Sequence, residues 1–155
     1  KSGSRKNLIK NERQDECRNV FVFFIRKNEE DRKMYFKNDK HKESFREGLR
    51  KVNKNDRDAV STVYLLSADS CLWRRAKQAT LGNRILLNNV RLRKLSEDGY
   101  VLLGAAKDMK YDTRYLTLGD LSDRSVITPK IYKLISQAVQ IKRCGAETIQ
   151  SEKGE

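Results

Sequence analysis

Residues Thr128–Gly145 read TPKIYKLISQAVQIKRCG, and this stretch decides the fold class. Thr128 can cap a helix, and the proline that follows has the backbone angle that the first helical position requires. The apolar residues then recur at helical spacing and form one stripe on a helix face. The stripe consists of Ile131, Leu134, Ile135, Ala138 and Ile141. Because Gly145 can end the helix, the stretch predicts an amphipathic helix that must bury its stripe against other elements.

Polar capping residues precede four further helical patterns upstream of this helix. The predicted helices cover about residues 39–52, 57–68, 71–79 and 96–110, with candidate caps at Asn38 or Asp39, Asp56, Asp69 or Ser70, and Ser96. Residues 118–123 indicate a turn or a short helix. Residues 84–95 fit two interpretations: two short strands joined by Asn88-Asn89, or an irregular helical turn. The sequence therefore predicts a mainly α fold, a single small domain of four to five helices, with a short two-stranded element near 84–95 as the alternative to that irregular turn.

The predicted helical domain spans residues 34–145. Residues 1–33 are expected to be an extension outside the natural domain, because Met34 is a candidate start and the acidic triplet 29–31 can be encoded by a purine-rich stretch that resembles a ribosome-binding site. The alternative is a native strand at 20–25 followed by a charged linker. Residues 146–155 are predicted to be a disordered tail.

The charge of the chain favours polyanionic partners. Its 155 residues include 34 Lys and Arg against 21 Asp and Glu, which gives a net charge of +13. Charge alone favours nucleic acid first and an anionic membrane surface second, and an acidic protein is the alternative partner. The three cysteines lie far apart and show no disulfide or zinc spacing, so a reducing cytoplasm is expected. The longest apolar run, residues 20–25, is far shorter than the roughly 20 residues that span a bilayer, so no membrane partner is expected.

The sequence offers little for catalysis. His41 is the single histidine, and acid–base and metal sites need several converging groups. It lies on a predicted helix between two lysines, where a structural role is the preferred interpretation. A nucleophile–base pair of Cys71 with His41 is the alternative, although nothing in the sequence brings the two together. The chain also has no phosphate-loop, dinucleotide, zinc-protease or nucleophile-elbow motif. We therefore expect a protein that is not an enzyme and that uses no metal or cofactor.

The strongest functional signal is a stretch without acids between Asp69 and Glu97. We name its seven cations the basic tract: Arg74, Arg75, Lys77, Arg84, Arg91, Arg93 and Lys94. Uncompensated arginines create a positive field and bind phosphates through two nitrogens at once. The tract is therefore predicted to contact nucleic acid. The alternative is a solvated surface whose arginine stems pack over aromatic side chains. A second basic stretch, residues 37–57, contains interspersed acids and is interpreted as an ordinary exposed helix face.

A protein-interaction module is the competing function. In that interpretation Leu72 and Trp73 form an apolar centre surrounded by arginines, and this centre binds an acidic partner protein.

From Met34 to Gly145 the chain resembles a family of small proteins of unknown function from Gram-positive bacteria, their prophages and mobile elements. The matching segments are Met34-Tyr35-Phe36 with His41 and Phe45, Tyr64–Asp69 with Leu72-Trp73, Leu95-Ser96 with Tyr100, Ala105–Asp108, Leu118–Leu121, and the last helix. The resemblance implies a setting in a phage or mobile element rather than a reaction. Together with the basic tract, it leads us to expect a non-enzymatic accessory protein that contacts nucleic acid.

Overall fold

A computed structural model describes residues 34–146 of the chain. The predicted extension 1–33, with its apolar run at 20–25, lies outside the described residues, as does all but the first residue of the predicted tail. The elements in chain order are α1 (Asp39–Leu49), α2 (Arg57–Ser67), α3 (Ser70–Gln78), β1 (Thr80–Leu81), β2 (Arg84–Ile85), a 3₁₀ turn (Leu87–Asn89), α4 (Glu97–Tyr111), α5 (Leu118–Ser122) and α6 (Pro129–Cys144). The prediction of a mainly helical fold with a short two-stranded element is confirmed.

Each long helix begins at a side chain that accepts a hydrogen bond from the first turn. The caps are Asn38 for α1, Asp56 for α2, Asp69 for α3, Ser96 for α4 and Thr128 for α6. These side chains satisfy backbone N–H groups that would otherwise lack a partner. The short helix α5 begins with a reciprocal capping box between Thr117 and Asp120.

Helix α2 lies at the centre of the fold. Its residues Val60–Ser67 are all buried, and α1, α3, α4 and α6 all pack against it. A helix that is buried on every side needs neighbours around its whole circumference. The five stripe residues of α6 are also buried. Residues Tyr35–Gly145 therefore form one compact unit around α2.

Two hydrogen-bonding groups join the ends of three helices. The Lys142 ammonium donates to the backbone oxygen of Met109 at 2.6 Å and lies 3.4 Å from an Asp58 carboxylate oxygen. The Arg57 guanidinium donates to the backbone oxygen of Arg143 at 2.7 Å. The start of α2 therefore lies beside the ends of α4 and α6.

The two-stranded element is present, but its first strand precedes the predicted range. Thr80 pairs with Ile85 and Leu81 pairs with Arg84, so the turn consists of Gly82-Asn83. Gly82 has φ +58°, which glycine adopts readily at the first central position of a tight hairpin turn. The expected turn at Asn88-Asn89 instead closes the 3₁₀ segment.

The buried face of α4 also differs from the expected one. The sequence pattern predicts Tyr100, Leu103, Ala106, and Lys107 or Met109 on one face. The structure buries Leu102, Leu103, Ala105 and Ala106, whereas Tyr100 is 48% exposed. Tyr100 stays outside because its hydroxyl donates to the backbone oxygen of Leu92 at 3.1 Å.

Candidate nucleic-acid interface

A short loop between two buried anchors displays three of the basic tract's cations. Val90 and Leu95 are buried, and the side chains of residues 91–94 between them are exposed. The Leu95 N–H donates to the Leu92 backbone oxygen at 3.0 Å, which closes a turn. Lys94 has φ +59° in this turn, a conformation that is uncommon outside glycine. The anchors and the turn fix the loop, so Arg91, Arg93 and Lys94 project into solvent from a defined backbone.

The three cations of α3 point in three directions. Successive helix residues are rotated by about 100° around the axis, and Leu72, Trp73 and Ala76 form the buried side of α3. Arg74 therefore lies opposite the core, and Arg75 and Lys77 lie on opposite flanks. Only the Arg75 flank faces the loop.

Lys77 does not belong to the predicted interface, because it is neutralised by a carboxylate from another helix. Its ammonium lies 3.4 Å from a Glu47 oxygen of α1 and 5.7 Å from the centre of the Trp73 ring. Trp73 donates its indole N–H to Glu47 at 3.2 Å, and this hydrogen bond, with Lys77 and Lys51 nearby, lowers the pKa of the Glu47 carboxyl group. The structure thus assigns Lys77 to the contact between α1 and α3.

Arg75 and Arg91 come together although sixteen positions separate them. The Arg75 guanidinium donates to the Arg91 backbone oxygen at 2.7 Å, which ties α3 to the exposed loop. A guanidinium carries five N–H donors, so this bond leaves others available. Of the ion pairs formed within residues 34–146, none involves Arg74, Arg75, Arg84, Arg91, Arg93 or Lys94. These six tract residues therefore keep their charge uncompensated by a carboxylate of the described chain.

Arg84 lies in the second strand of the hairpin and pairs with Leu81. The Lys110 ammonium, in the last turn of α4, donates to the backbone oxygen of Ile85 at 2.6 Å, which places the hairpin beside the end of α4. Burial lowers the pKa of the Lys110 amine, and the positive charge of Arg84 acts in the same direction. Arg84 therefore lies on the hairpin beside the end of α4, and the cluster of the tract consists of Arg75 and the cations of residues 91–94.

A groove of about 500 Å³ opens between α3, the hairpin and the loop. Its walls combine two cations, two side-chain amides, one hydroxyl and three apolar groups. These residues are Arg75, Gln78, Ala79, Thr80, Leu81, Leu86, Asn89 and Arg91. The sequence reasoning missed Gln78 and Asn89, because the asparagine was interpreted only as a turn residue and the glutamine carried no signal of its own.

The apolar centre of the competing protein-interaction interpretation lies inside the fold. Leu72 is 0% exposed and Trp73 is 4% exposed. Neither side chain can therefore present a docking surface, and the arginines of the tract surround no apolar centre built from them. This finding overturns that mechanism.

His41 is enclosed in a cluster with Phe36, Phe45 and Tyr64 and is 1% exposed. Its Nε2 lies 2.9 Å from the Tyr64 backbone oxygen, and its Nδ1 accepts the Lys37 N–H at 3.1 Å. Burial lowers the pKa of the ring to about 4. Because both nitrogens are engaged inside the core, His41 joins α1 to α2 and has no free lone pair for a substrate.

In the part of the chain that the structure describes, no three His, Cys, Asp or Glu side chains come together as they would around a metal ion. None of the helices formed by residues 34–146 combines the length and hydrophobicity needed to cross a bilayer.

Comparisons with protein-family models, with curated proteins and with solved structures found no match to this chain. The family resemblance given by the sequence motifs therefore stays a prediction.

Proposed function

We propose that this chain is a non-enzymatic accessory protein of a phage or mobile element that binds nucleic acid through the exposed part of its basic tract. The setting rests on the family resemblance, and the binding rests on the site. One observation carries the proposal: the Arg75 guanidinium is held against the loop that displays Arg91, Arg93 and Lys94, and no ion pair with the described chain neutralises these four cations.

The physical mechanism is phosphate neutralisation with release of counterions. Each phosphate that a cation neutralises frees part of the ion atmosphere around the nucleic acid, so affinity falls as salt rises. A loop whose backbone is already fixed loses less backbone freedom on binding than a mobile loop does. The loop qualifies as fixed because its backbone is held by the Leu92–Leu95 turn and by Tyr100.

The test removes the loop charges and compares the result with an equal loss elsewhere. The loop variant carries Arg91→Gln, Arg93→Gln and Lys94→Asn, where asparagine tolerates the positive φ. The matched control carries Lys40→Gln, Lys42→Gln and Arg46→Gln, three exposed cations of α1. Both variants lower the net charge of the chain by three.

Binding to a labelled oligonucleotide is measured by fluorescence anisotropy over a range of salt concentrations. The plot of log affinity against log salt should become shallower by about 2 to 3 in the loop variant, since each lost phosphate contact removes about 0.7 to 0.9 from the slope. The control should keep the wild-type slope of log affinity against log salt to within about 1, which is the contribution of a single phosphate contact. A loop variant that binds like the wild type, or a control that loses as much, contradicts the proposal.

A further inference from the structure

The groove beside the loop contains groups that phosphate binding alone does not need. Arg75 and Arg91 provide positive charge, whereas the amides of Gln78 and Asn89 are neutral donors and acceptors. Neither amide side chain hydrogen-bonds to any of residues 34–146. Two amides that face the same groove as two guanidinium groups can therefore bind a ligand that has both an anionic part and a polar edge.

The groove also offers apolar contact. Leu81 lies at the hairpin turn and is 72% exposed, and Leu86 lines the same groove. A volume of about 500 Å³ falls within the range of pockets that hold small ligands. A single nucleotide matches all three properties, because it joins a phosphate to a flat ring with an apolar face and a hydrogen-bonding edge.

The fit of a single nucleotide to the groove favours single-stranded over double-stranded nucleic acid. In a duplex the base faces are stacked, and the edges that pair are already hydrogen-bonded. In a single strand the bases can be unstacked and placed on side chains or guanidinium planes, with their edges read by polar groups. We propose that the groove holds one unstacked nucleotide of a single strand, with its phosphate at Arg75 and Arg91 and its base between the two leucines and the two amides. This inference rests on the function proposed above.

The experiment separates the groove from the charge of the loop. The groove variant carries Gln78→Ala and Asn89→Ala, which change no charge. The matched control is Asn88→Ala, which removes an exposed amide from the same 3₁₀ turn outside the groove. Circular dichroism and thermal unfolding establish that each variant is folded. Three probes are titrated by anisotropy or competition: a single-stranded oligonucleotide, the same sequence as a blunt duplex, and a nucleoside monophosphate.

The wild type should bind the single strand about tenfold more tightly than the duplex, the effect of one contacted base. The groove variant should lose most of this preference while keeping its affinity for the duplex and its salt dependence. The Asn88→Ala control should behave like the wild type.

Each other result overturns a definite part of the reasoning. Equal affinity for single strand and duplex, unaffected by the groove variant, overturns the single-strand assignment and leaves the phosphate contacts standing. A monophosphate that competes as well as the oligonucleotide shows that the occupant is a free nucleotide and refutes the strand assignment. Binding to neither oligonucleotide overturns both proposals.

Discussion

Acidification from pH 7 to pH 5 should destabilise this protein through one side chain, His41. The ring is buried between α1 and α2, and its Nδ1 already accepts a hydrogen bond from the Lys37 N–H. Protonation of Nδ1 would make it a hydrogen-bond donor, and it would then face the Lys37 N–H, which is also a donor. Burial, which disfavours the charged form of the ring, lowers the pKa of His41 from its ordinary 6.5 to about 4.

The sign and size of the effect follow from proton linkage. Above pH 6.5 the ring is neutral in both states, so the folded chain suffers no penalty. As the pH falls below 6.5, His41 becomes protonated in the unfolded chain, whereas in the folded chain it stays neutral until about pH 4. Each pH unit in that interval costs about 1.4 kcal/mol. The free energy of unfolding should therefore drop by about 2 kcal/mol between pH 7 and pH 5.

The assay compares the wild type with His41→Gln, whose amide can still donate to the Tyr64 backbone oxygen but does not titrate. Urea unfolding is followed by the fluorescence of Trp73, the single tryptophan, which is buried in the fold. We expect the variant to be less stable than the wild type at pH 7, and its further loss of stability down to pH 5 should be about 2 kcal/mol smaller than that of the wild type. The carboxyl groups contribute equally to the pH dependence of stability in the wild type and in the variant, so their contribution cancels when the two losses are subtracted.

If the wild type and His41→Gln lose the same amount of unfolding free energy between pH 7 and pH 5, the role given to His41 is refuted. A second measurement applies even if the variant does not fold. The ring-proton NMR signal of the single histidine in the wild type should not titrate between pH 7 and pH 5.

Three further substitutions test the packing and the loop. Thr62→Val should stabilise the fold by about 1 kcal/mol in urea unfolding, because the buried Thr62 hydroxyl has no hydrogen-bond partner among residues 34–146. A loss of stability would show that the hydroxyl is satisfied. Gly48→Ala should destabilise by about 1–3 kcal/mol, since its Cβ would lie 2.4 Å from a Val63 methyl group and 2.8 Å from the Trp73 ring; unchanged stability would contradict this close approach. Lys94→Asn should leave the melting temperature within a few degrees, because asparagine tolerates the positive φ at Lys94; a large loss would mean that the lysine supports the loop.

The helices could be predicted because their signals are local. Asn38, Asp56, Asp69, Ser96 and Thr128 each cap the helix that follows them. A cap depends only on the next three residues, and an apolar stripe depends only on the helical period. Both can therefore be read without knowledge of the tertiary structure.

The site could be predicted only in part, because charge compensation depends on distant residues. Lys77 looks free in the sequence, yet its partner Glu47 stands thirty positions earlier. The contact between Arg75 and the Arg91 backbone likewise depends on how the chain returns after the hairpin. A stretch without acids shows where the cations are, and only the packing of α1 and α3 determines which of them remain unpaired.

The central position of α2 has a consequence for the order in which the chain matures. Its buried residues need α6, which comes last in chain order among the helices of residues 34–146. Until that helix docks, the face of α2 that α6 covers stays exposed as an apolar surface. Other incompletely folded chains or chaperones can bind this surface. A premature stop codon anywhere before Pro129 should therefore yield an insoluble product rather than a smaller working protein.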